Sequence, residues 1–185
     1  AAKTIENVEF IQMNVPPFTG IPDNQFDFVV SFQVIEHIKK DREFVKEIHR
    51  VLKKGGKFIL TTPNKKMSLT RNPWHIREYT VSQLVDLLKT EFSSVDAKGV
   101  FGNEEIQKYY EENKRSVKKI TRFDVFNLQY ILPRQILQIP YDILNRRNRN
   151  KLTDAGSSIK MEDYSIKPAM NDSDQCFDLF YVATK

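Results

Sequence analysis

Three histidines occur in the sequence, and a histidine beside a carboxylate can accept or donate a proton near neutral pH. His37 directly follows Glu36, and His75 lies three residues before Glu78. Either carboxylate is an alternative base. His49 falls in the middle of a predicted helix, which favours a structural role. His37 and His75 are therefore the candidates for catalysis, with packing of their loops as the competing interpretation. No Cys/His cluster has zinc-ligand spacing, so we predict no metal site.

The elements around His37 follow from hydrophobic periodicity. The run 26–32 is apolar and β-branched, as in a strand covered on both faces of a parallel sheet. A helix is predicted from about Asp41 and ends at Gly55-Gly56, which supplies a left-handed stop. A second buried strand follows at 57–62. Strand, helix and strand form a βαβ unit with a right-handed crossover, which implies a parallel sheet.

Four further patterns extend this unit. Apolar and polar residues alternate over 7–14, which predicts a strand. Thr80-Val81-Ser82-Gln83 has the form of a capping box before a helix that runs to about Lys89. The segments 92–100 and 176–184 read as two more strands. We therefore predict a single domain over 1–185.

The segment between the last two strands has a different character. Residues 103–150 are predicted to form a helical insertion or lid, and 153–175 a polar, mobile loop. Within the insertion, 123–144 is rich in Ile and Leu and flanked by basic residues. A lid that packs on the domain is one interpretation. The other is a surface over 123–151 that docks on an anionic membrane.

Composition excludes several classes. The 185 residues carry a net charge of +5, with 40% hydrophobic and 29% charged residues, as in ordinary globular domains. The only cysteine, Cys176, has no internal disulfide partner, which favours a reducing, cytoplasmic setting. No apolar run is long enough for a transmembrane helix, and no secretory leader is recognisable. No aromatic stacking module accompanies the basic run, so a nucleic-acid partner is not expected.

The residues 26–38 and 47–57 carry a specific combination of motifs. The first segment reads FDFVVSFQVIEHI, and the second reads EIHRVLKKGGK. This order and spacing closely resembles the class I S-adenosylmethionine-dependent methyltransferases. The resemblance implies an α/β fold with a Rossmann-like, doubly wound, mostly parallel sheet. It identifies 10–14, 92–100 and 176–184 as the family's third, sixth and seventh strands.

The same resemblance implies a cofactor site for S-adenosylmethionine. Asn14 and Val15 would lie beside the adenine ring, where the family usually has Asp at the position of Asn14. An Asn carbonyl can still accept a hydrogen bond there. Ser31, Phe32 and Gln33 would lie along the methionine part, mainly through backbone groups. Such sites lie beyond the carboxyl ends of the strands.

A narrower resemblance concerns 62–64 and 72–80, which are similar to bacterial methyltransferases associated with glycan synthesis. It implies a small-molecule or glycan acceptor that is methylated on oxygen or nitrogen. His75 would bind the acceptor or act as its general base, and His37 would assist. The acceptor-binding side chains would be Asn64, Trp74, Glu78 and Tyr79.

The sequence departs from the family at its start. The glycines of these 185 residues form no Gly-rich turn of the kind that binds the cofactor, and two βα units would be required upstream of 7–14. We therefore expect the carboxyl-terminal part of a methyltransferase, lacking the amino-terminal strands, or a non-catalytic binding or assembly domain derived from one. The strand 26–32 would be a sheet edge, so we expect homodimerisation there or weak cofactor binding. An NAD-linked oxidoreductase is less favoured.

Overall fold

The computed structural model describes residues 7–122, 131–139, 141–143, 159–171 and 175–185. The strands are β1 (Phe26–Phe32), β2 (Leu52–Pro63), β3 (Ser94–Gly102), β4 (Tyr164–Pro168) and β5 (Asp178–Thr184). The helices are α1 (Asp41–Val51), α2 (Val81–Leu88) and α3 (Glu104–Thr121). Short 3₁₀ turns cover Ile35–His37 and Met161–Asp163, and 134–139 is helical.

The strands form one five-stranded sheet in the order β1-β2-β5-β3-β4. β1 and β2 pair in parallel across α1, which confirms the predicted βαβ unit. β5 lies between β2 and β3 and is antiparallel to both, so β1, β2 and β3 share one direction. β4 is antiparallel to β3 at the far edge. This mixed sheet with helices confirms the Rossmann-like α/β fold.

The core lies between the sheet and the helices α1 and α2. Both helices bury one apolar stripe, and β2 and β5 alternate buried with less buried side chains. Fully buried side chains from all four elements meet there: Val45, Ile48, Leu84, Leu88, Phe58, Leu60, Leu179 and Tyr181. Burying each such side chain contributes roughly 1.5–3 kcal/mol. β1 instead leaves Phe26, Phe28, Val30 and Phe32 exposed.

The start of α2 confirms the predicted capping box. The Thr80 hydroxyl accepts a hydrogen bond from the Gln83 amide, and the Gln83 side chain accepts one from the Thr80 amide. Each bond satisfies a backbone donor that has no partner inside the helix. The cap fixes the point at which the chain leaves the preceding loop.

The predicted role of Gly55-Gly56 as a helix stop is wrong. α1 ends at Val51, and β2 begins at Leu52. Paired positions advance from Phe26 to Phe28 on β1 but from Leu52 to Lys57 on β2. The extra residues form a bulge, where Gly55 has φ +79. A left-handed glycine suits a bulge as well as a helix end, so the residue type alone does not distinguish them.

Two other predictions of secondary structure are also wrong. Residues 7–14 form no strand, and Phe10 is 83% exposed. Alternation alone cannot supply the hydrogen-bonding neighbour that a strand needs. Part of the predicted mobile loop 153–175 is instead ordered as β4, in which Tyr164 pairs with Gly102 of β3. Mostly exposed edge strands are polar, which is why β4 resembles a loop in sequence.

Much of the predicted insertion falls outside the described residues. Within the predicted insertion 103–150, the structure describes α3 and the residues 131–139 and 141–143. Of the predicted membrane-docking surface 123–151, it describes only 131–139 and 141–143. The side chains of Ile131, Ile136, Ile139 and Ile143 are exposed there. No helix in the described part of the chain has the length and apolarity needed to cross a membrane. Membrane docking stays a prediction.

The segment 15–21 is fixed on α1 by an ionic network. The Phe18 amide donates to Glu47 Oε2 at 2.9 Å, and Arg50 donates to the same carboxylate at 2.9 Å. Arg50 also donates to the Ile21 carbonyl at 2.8 Å. The hydrogen bond from Arg50 is the main cause that lowers the pKa of Glu47, while burial opposes it. This network holds Val15 against the core.

We predict an acid-sensitive contribution to stability from Glu47. Because its folded pKa is lowered, the contribution is complete above the unfolded pKa of about 4.3 and is lost as the pH falls through the folded value. At pH 7, the free energy of unfolding of Glu47→Gln should therefore be lower than that of the parent protein. Between pH 5 and pH 3, it should fall less than that of the parent. Denaturant titrations across this range measure both. Parallel curves for the two proteins would contradict the prediction.

Candidate active site

The carboxyl ends of β1 and β2 meet at one edge of the sheet. β1 ends at Phe32 and β2 at Pro63, where β5 begins because Pro63 pairs with Asp178. In doubly wound sheets, ligands bind in the crevice outside the carboxyl ends of the strands. The residues that follow β1 and β2 are therefore the candidates for a ligand-binding site.

The end of β1 has features that fit a bound cofactor. Ser31 is 8% exposed, and within the described part of the chain its hydroxyl has no hydrogen-bond partner. Gln33 has φ +55, while its amide donates to the Thr61 carbonyl at 2.9 Å. Buried hydroxyls are usually paired, and strained backbone is concentrated at functional sites. Phe32 is 56% exposed beside them.

The other predicted cofactor residues precede β1 in the chain. Asn14 is exposed in a segment without regular structure, and Val15 is half-buried against the core. Among the described residues, no hydrogen bond joins either of them to Ser31, Phe32 or Gln33. Their predicted contact with adenine stays a prediction.

Glu36 connects the strand ends to the following loop. Its side chain is 1% exposed, and one carboxylate oxygen accepts a hydrogen bond from the Thr62 hydroxyl at 2.8 Å. Its backbone carbonyl accepts from the amides of Ile76 at 2.7 Å and Arg77 at 3.2 Å. The loop that carries His75 is thereby held beside the residue that precedes His37.

The imidazole rings of His37 and His75 meet edge to face, with centroids 5.0 Å apart. His37 Nδ1 lies 3.0 Å from the Trp74 carbonyl, which can only accept, so this nitrogen carries the proton. His75 Nδ1 lies 2.6 Å from Glu78 Oε1, and its Nε2 lies 2.8 Å from the Asn72 amide nitrogen. In both rings Nδ1 is therefore the donor; Nε2 of His75 accepts a hydrogen bond from the Asn72 amide, and Nε2 of His37 faces Glu36. Two residues far apart in sequence form one basic pair.

Glu78 orients His75 as a charged group. Burial favours a higher pKa for Glu78, but hydrogen bonds from His75 and from Ser68, at 2.5 Å, outweigh it and hold the pKa below its usual value. The carboxylate is therefore ionised at neutral pH. Both of its oxygens are in use, so its arrangement favours a positioning role over direct contact with a substrate.

Two predicted acceptor-binding residues are buried in the fold. The Asn64 side chain is 1% exposed, donates to the Cys176 carbonyl at 2.9 Å and accepts from the Lys66 amide at 3.0 Å. Tyr79 is 2% exposed and donates to Asp41 at 2.8 Å. Burial, and then the hydrogen bond to Asp41, raise the pKa of Tyr79 far above its usual range. These contacts favour structural roles for both.

Trp74 is exposed and lies where the 131–143 segment crosses the loop. Its side chain is 49% exposed, and the indole Nε1 donates to Asp142 at 3.0 Å. Arg134 donates to the Ile76 carbonyl at 2.9 Å. The helical segment is thus tied to the loop that carries His75. This places it beside the predicted acceptor side.

Asp178 is a site residue that the sequence analysis did not identify. Asp178 is the first residue of β5, at the same sheet edge, and its side chain is half-buried. Burial is the main cause that raises the pKa of Asp178; the Gln33 side chain opposes this by hydrogen bonding, and the charge of Glu36 adds to it. Its only signal in the sequence is one acidic residue in an otherwise apolar run.

Comparison with known proteins agrees with this architecture. A family model described as "Methyltransferase domain" matches residues 1–60. A protein of Mycolicibacterium smegmatis named as a probable S-adenosylmethionine-dependent methyltransferase is 30% identical over 172 residues, which are 89% of this chain and 60% of that protein. One of Mycobacterium tuberculosis with a similar name is 41% identical over 86 residues, which are 44% of this chain and 31% of that protein. The chain thus spans at most about three fifths of these relatives.

A solved structure supports the fold. The crystal structure of a SAM-dependent methyltransferase from Thermotoga maritima superposes with a TM-score of 0.51 at 15% identity, covering 92% of this chain and 59% of that one. The chain is therefore similar to proteins named as S-adenosylmethionine-dependent methyltransferases, and its fold is that of the solved structure. The names of both mycobacterial relatives give S-adenosylmethionine as their cofactor.

The structural interpretation of Tyr79 yields a second prediction. Tyr79→Phe removes a hydrogen bond to the buried Asp41 carboxylate, so the free energy of unfolding should fall by roughly 1–3 kcal/mol. The nearby Tyr110, whose hydroxyl bonds the Met67 carbonyl at the surface of the fold, provides the control Tyr110→Phe. The free energy of unfolding of Tyr110→Phe should fall by less than that of Tyr79→Phe. Equal stability of Tyr79→Phe and the parent in urea titrations would contradict the structural role.

Proposed function

We propose that this chain takes part in methyl transfer from S-adenosylmethionine to an oxygen or nitrogen of a small-molecule or glycan acceptor. The observation that carries the proposal is the arrangement at the end of β1. The Ser31 hydroxyl, which has no partner among the described residues, and the strained Gln33 lie six and four residues before His37, whose ring meets that of His75. On this proposal, the segment that holds the cofactor and the two histidines would lie at one sheet edge.

The chemistry sets few demands on the protein. The cofactor supplies an electrophilic methyl group, and transfer requires the acceptor to be held in line with it. A hydroxyl acceptor also has to lose its proton. In this chain, Ser31, Phe32 and Gln33 would bind the methionine part of the cofactor. His37 and His75 would hold the acceptor and assist the loss of its proton.

The surroundings of the two histidines support an acceptor side. The loop that carries His75 is hydrogen-bonded to the backbone carbonyl of Glu36. The same loop bonds the segment after residue 130, since Trp74 donates to Asp142 and Arg134 donates to a loop carbonyl. The exposed Trp74 ring offers an apolar face with its polar edge already satisfied. Such a face suits a sugar or another ring. This supports the glycan alternative within the proposal.

A second candidate function is a binding or assembly domain without catalysis. It is favoured by the exposed side chains of Phe26, Phe28 and Val30 on β1, which is an edge strand of the described sheet. An apolar edge strand tends to pair with another chain, including a second copy. This candidate requires no binding of S-adenosylmethionine, and the following experiment separates the two.

The third prediction concerns Ser31→Ala in the full-length protein. An unpaired buried hydroxyl contributes no net stability, so the variant should be as stable as the parent or more so. If the hydroxyl binds the cofactor, the affinity for S-adenosylhomocysteine should fall about threefold to tenfold. Calorimetric titration measures the affinity, and thermal unfolding measures the stability.

Ser93→Ala is the matched control, because Ser93 lies on the surface and bonds the Thr184 carbonyl away from the strand ends. It should leave the affinity unchanged. Failure of the parent protein to bind S-adenosylhomocysteine would favour the binding or assembly domain. Reduced stability of Ser31→Ala with unchanged affinity would contradict the role of this hydroxyl.

The fourth prediction concerns His75→Ala. Loss of a side chain that prepares the acceptor should lower kcat by about 10²- to 10⁴-fold and leave the KM for S-adenosylmethionine nearly unchanged. S-adenosylhomocysteine release with a panel of sugars, phenols and amines measures both. His49→Gln is the control, since His49 packs against Phe92 outside the site. Equal activity of His75→Ala and the control would overturn the role of His75.

A further inference from the structure

We propose that Glu36, His37 and His75 form a binding site for one divalent transition-metal ion of the zinc type. One ligand atom from each side chain lies within 4.8 Å of the other two. His37 Nε2 is 4.0 Å from Glu36 Oε1. Tetrahedral ligands of zinc lie about 3.3 Å apart, given bonds of about 2.0–2.2 Å. Closing the site would therefore require the ligand atoms to approach one another by at most about 1.5 Å.

The hydrogen bonds around the two rings prepare them for a metal. The Nδ1 atoms of His37 and His75 are held by the Trp74 carbonyl and the Glu78 carboxylate. Histidines that bind metals commonly donate their second N–H to a carbonyl or carboxylate, which fixes the ring and exposes the other nitrogen. His37 Nε2 is the nitrogen that faces Glu36 Oε1. Binding would replace the contact between Asn72 and His75 Nε2.

The charge of Glu36 is a separate reason for a cation at this position. Its carboxylate is almost fully buried, and within the described part of the chain its ion-pair contact is to His37 alone, at the limiting distance of 4.0 Å. The half-buried Asp178 is close enough for the charge of Glu36 to raise its pKa further, after burial as the main cause. Burying a carboxylate is costly unless a cation or several hydrogen bonds compensate it. The Thr62 hydroxyl provides one such bond.

The ligand types select the metal. Two imidazoles and one carboxylate suit Zn²⁺, Co²⁺ and related ions, whereas Mg²⁺ prefers oxygen ligands and keeps most of its water. Three protein ligands leave at least one coordination position open. There the ion would hold an acceptor oxygen, a role that rests on the proposed function, whereas the site itself rests on the geometry alone. The spacing of these residues carries no metal-site signal, because residues 36–37 and 75 are brought together only by the fold.

Cobalt absorption tests the site without cofactor or acceptor. Untagged full-length protein, freed of metal by chelation, is titrated with Co²⁺ and then with Zn²⁺. We expect a saturable visible band at one Co²⁺ per chain, displaced by Zn²⁺ and not by equimolar Mg²⁺. His37→Ala and His75→Ala should each bind Co²⁺ at least tenfold more weakly, and Glu78→Gln, which removes the partner of His75, should bind about 10- to 100-fold more weakly.

His49→Gln is the matched control and should bind Co²⁺ like the parent. Circular dichroism establishes that each variant is folded, and the 45% exposure of the His37 side chain makes His37→Ala the variant least dependent on packing. Absence of a saturable band in the parent would overturn the site. So would equal affinity in folded His37→Ala and the parent. Because no methyl transfer is measured, failure here is distinct from failure of the proposed function.

Discussion

The burial of Glu36 at the carboxyl ends of β1 and β2 is the constraint on which the site depends. Its carboxylate bonds Thr62 of β2, and its carbonyl bonds two consecutive amides of the loop that carries His75. A buried group that is held on both sides leaves little freedom to its neighbours. As a result, His37 and His75 meet although 37 residues separate them in sequence.

The loop is held from its other end by a second buried carboxylate. Asp41, at the start of α1, accepts hydrogen bonds from Tyr79 and Arg77. The backbone of Tyr79 in turn forms a bridge with Asn64 at the end of β2. The loop is therefore fixed by α1, by β2 and by Glu36 before any ligand binds. Preorganisation of this kind lowers the cost of holding a substrate.

Local sequence patterns predicted those features that depend on local interactions. The βαβ unit and the capping box at Thr80 were recovered because periodicity and capping act over a few residues. The strand predicted at 7–14 does not form because pairing needs a neighbour, and β4 was not predicted because an edge strand has a polar composition. Asn64 and Tyr79 were predicted to bind an acceptor, but their burial became visible only once distant elements were packed. Asp178 and the cluster around Glu36 depend on the fold in the same way.

The central claim is that S-adenosylmethionine binds at the end of β1 with its methyl group directed towards the two histidines. The most direct measurement is a crystal structure of the full-length protein with S-adenosylhomocysteine. We predict density for the ligand along Ser31, Phe32 and Gln33, with its sulfur facing the side of His37 and His75. Density at another place, or none at saturating ligand, would contradict the claim.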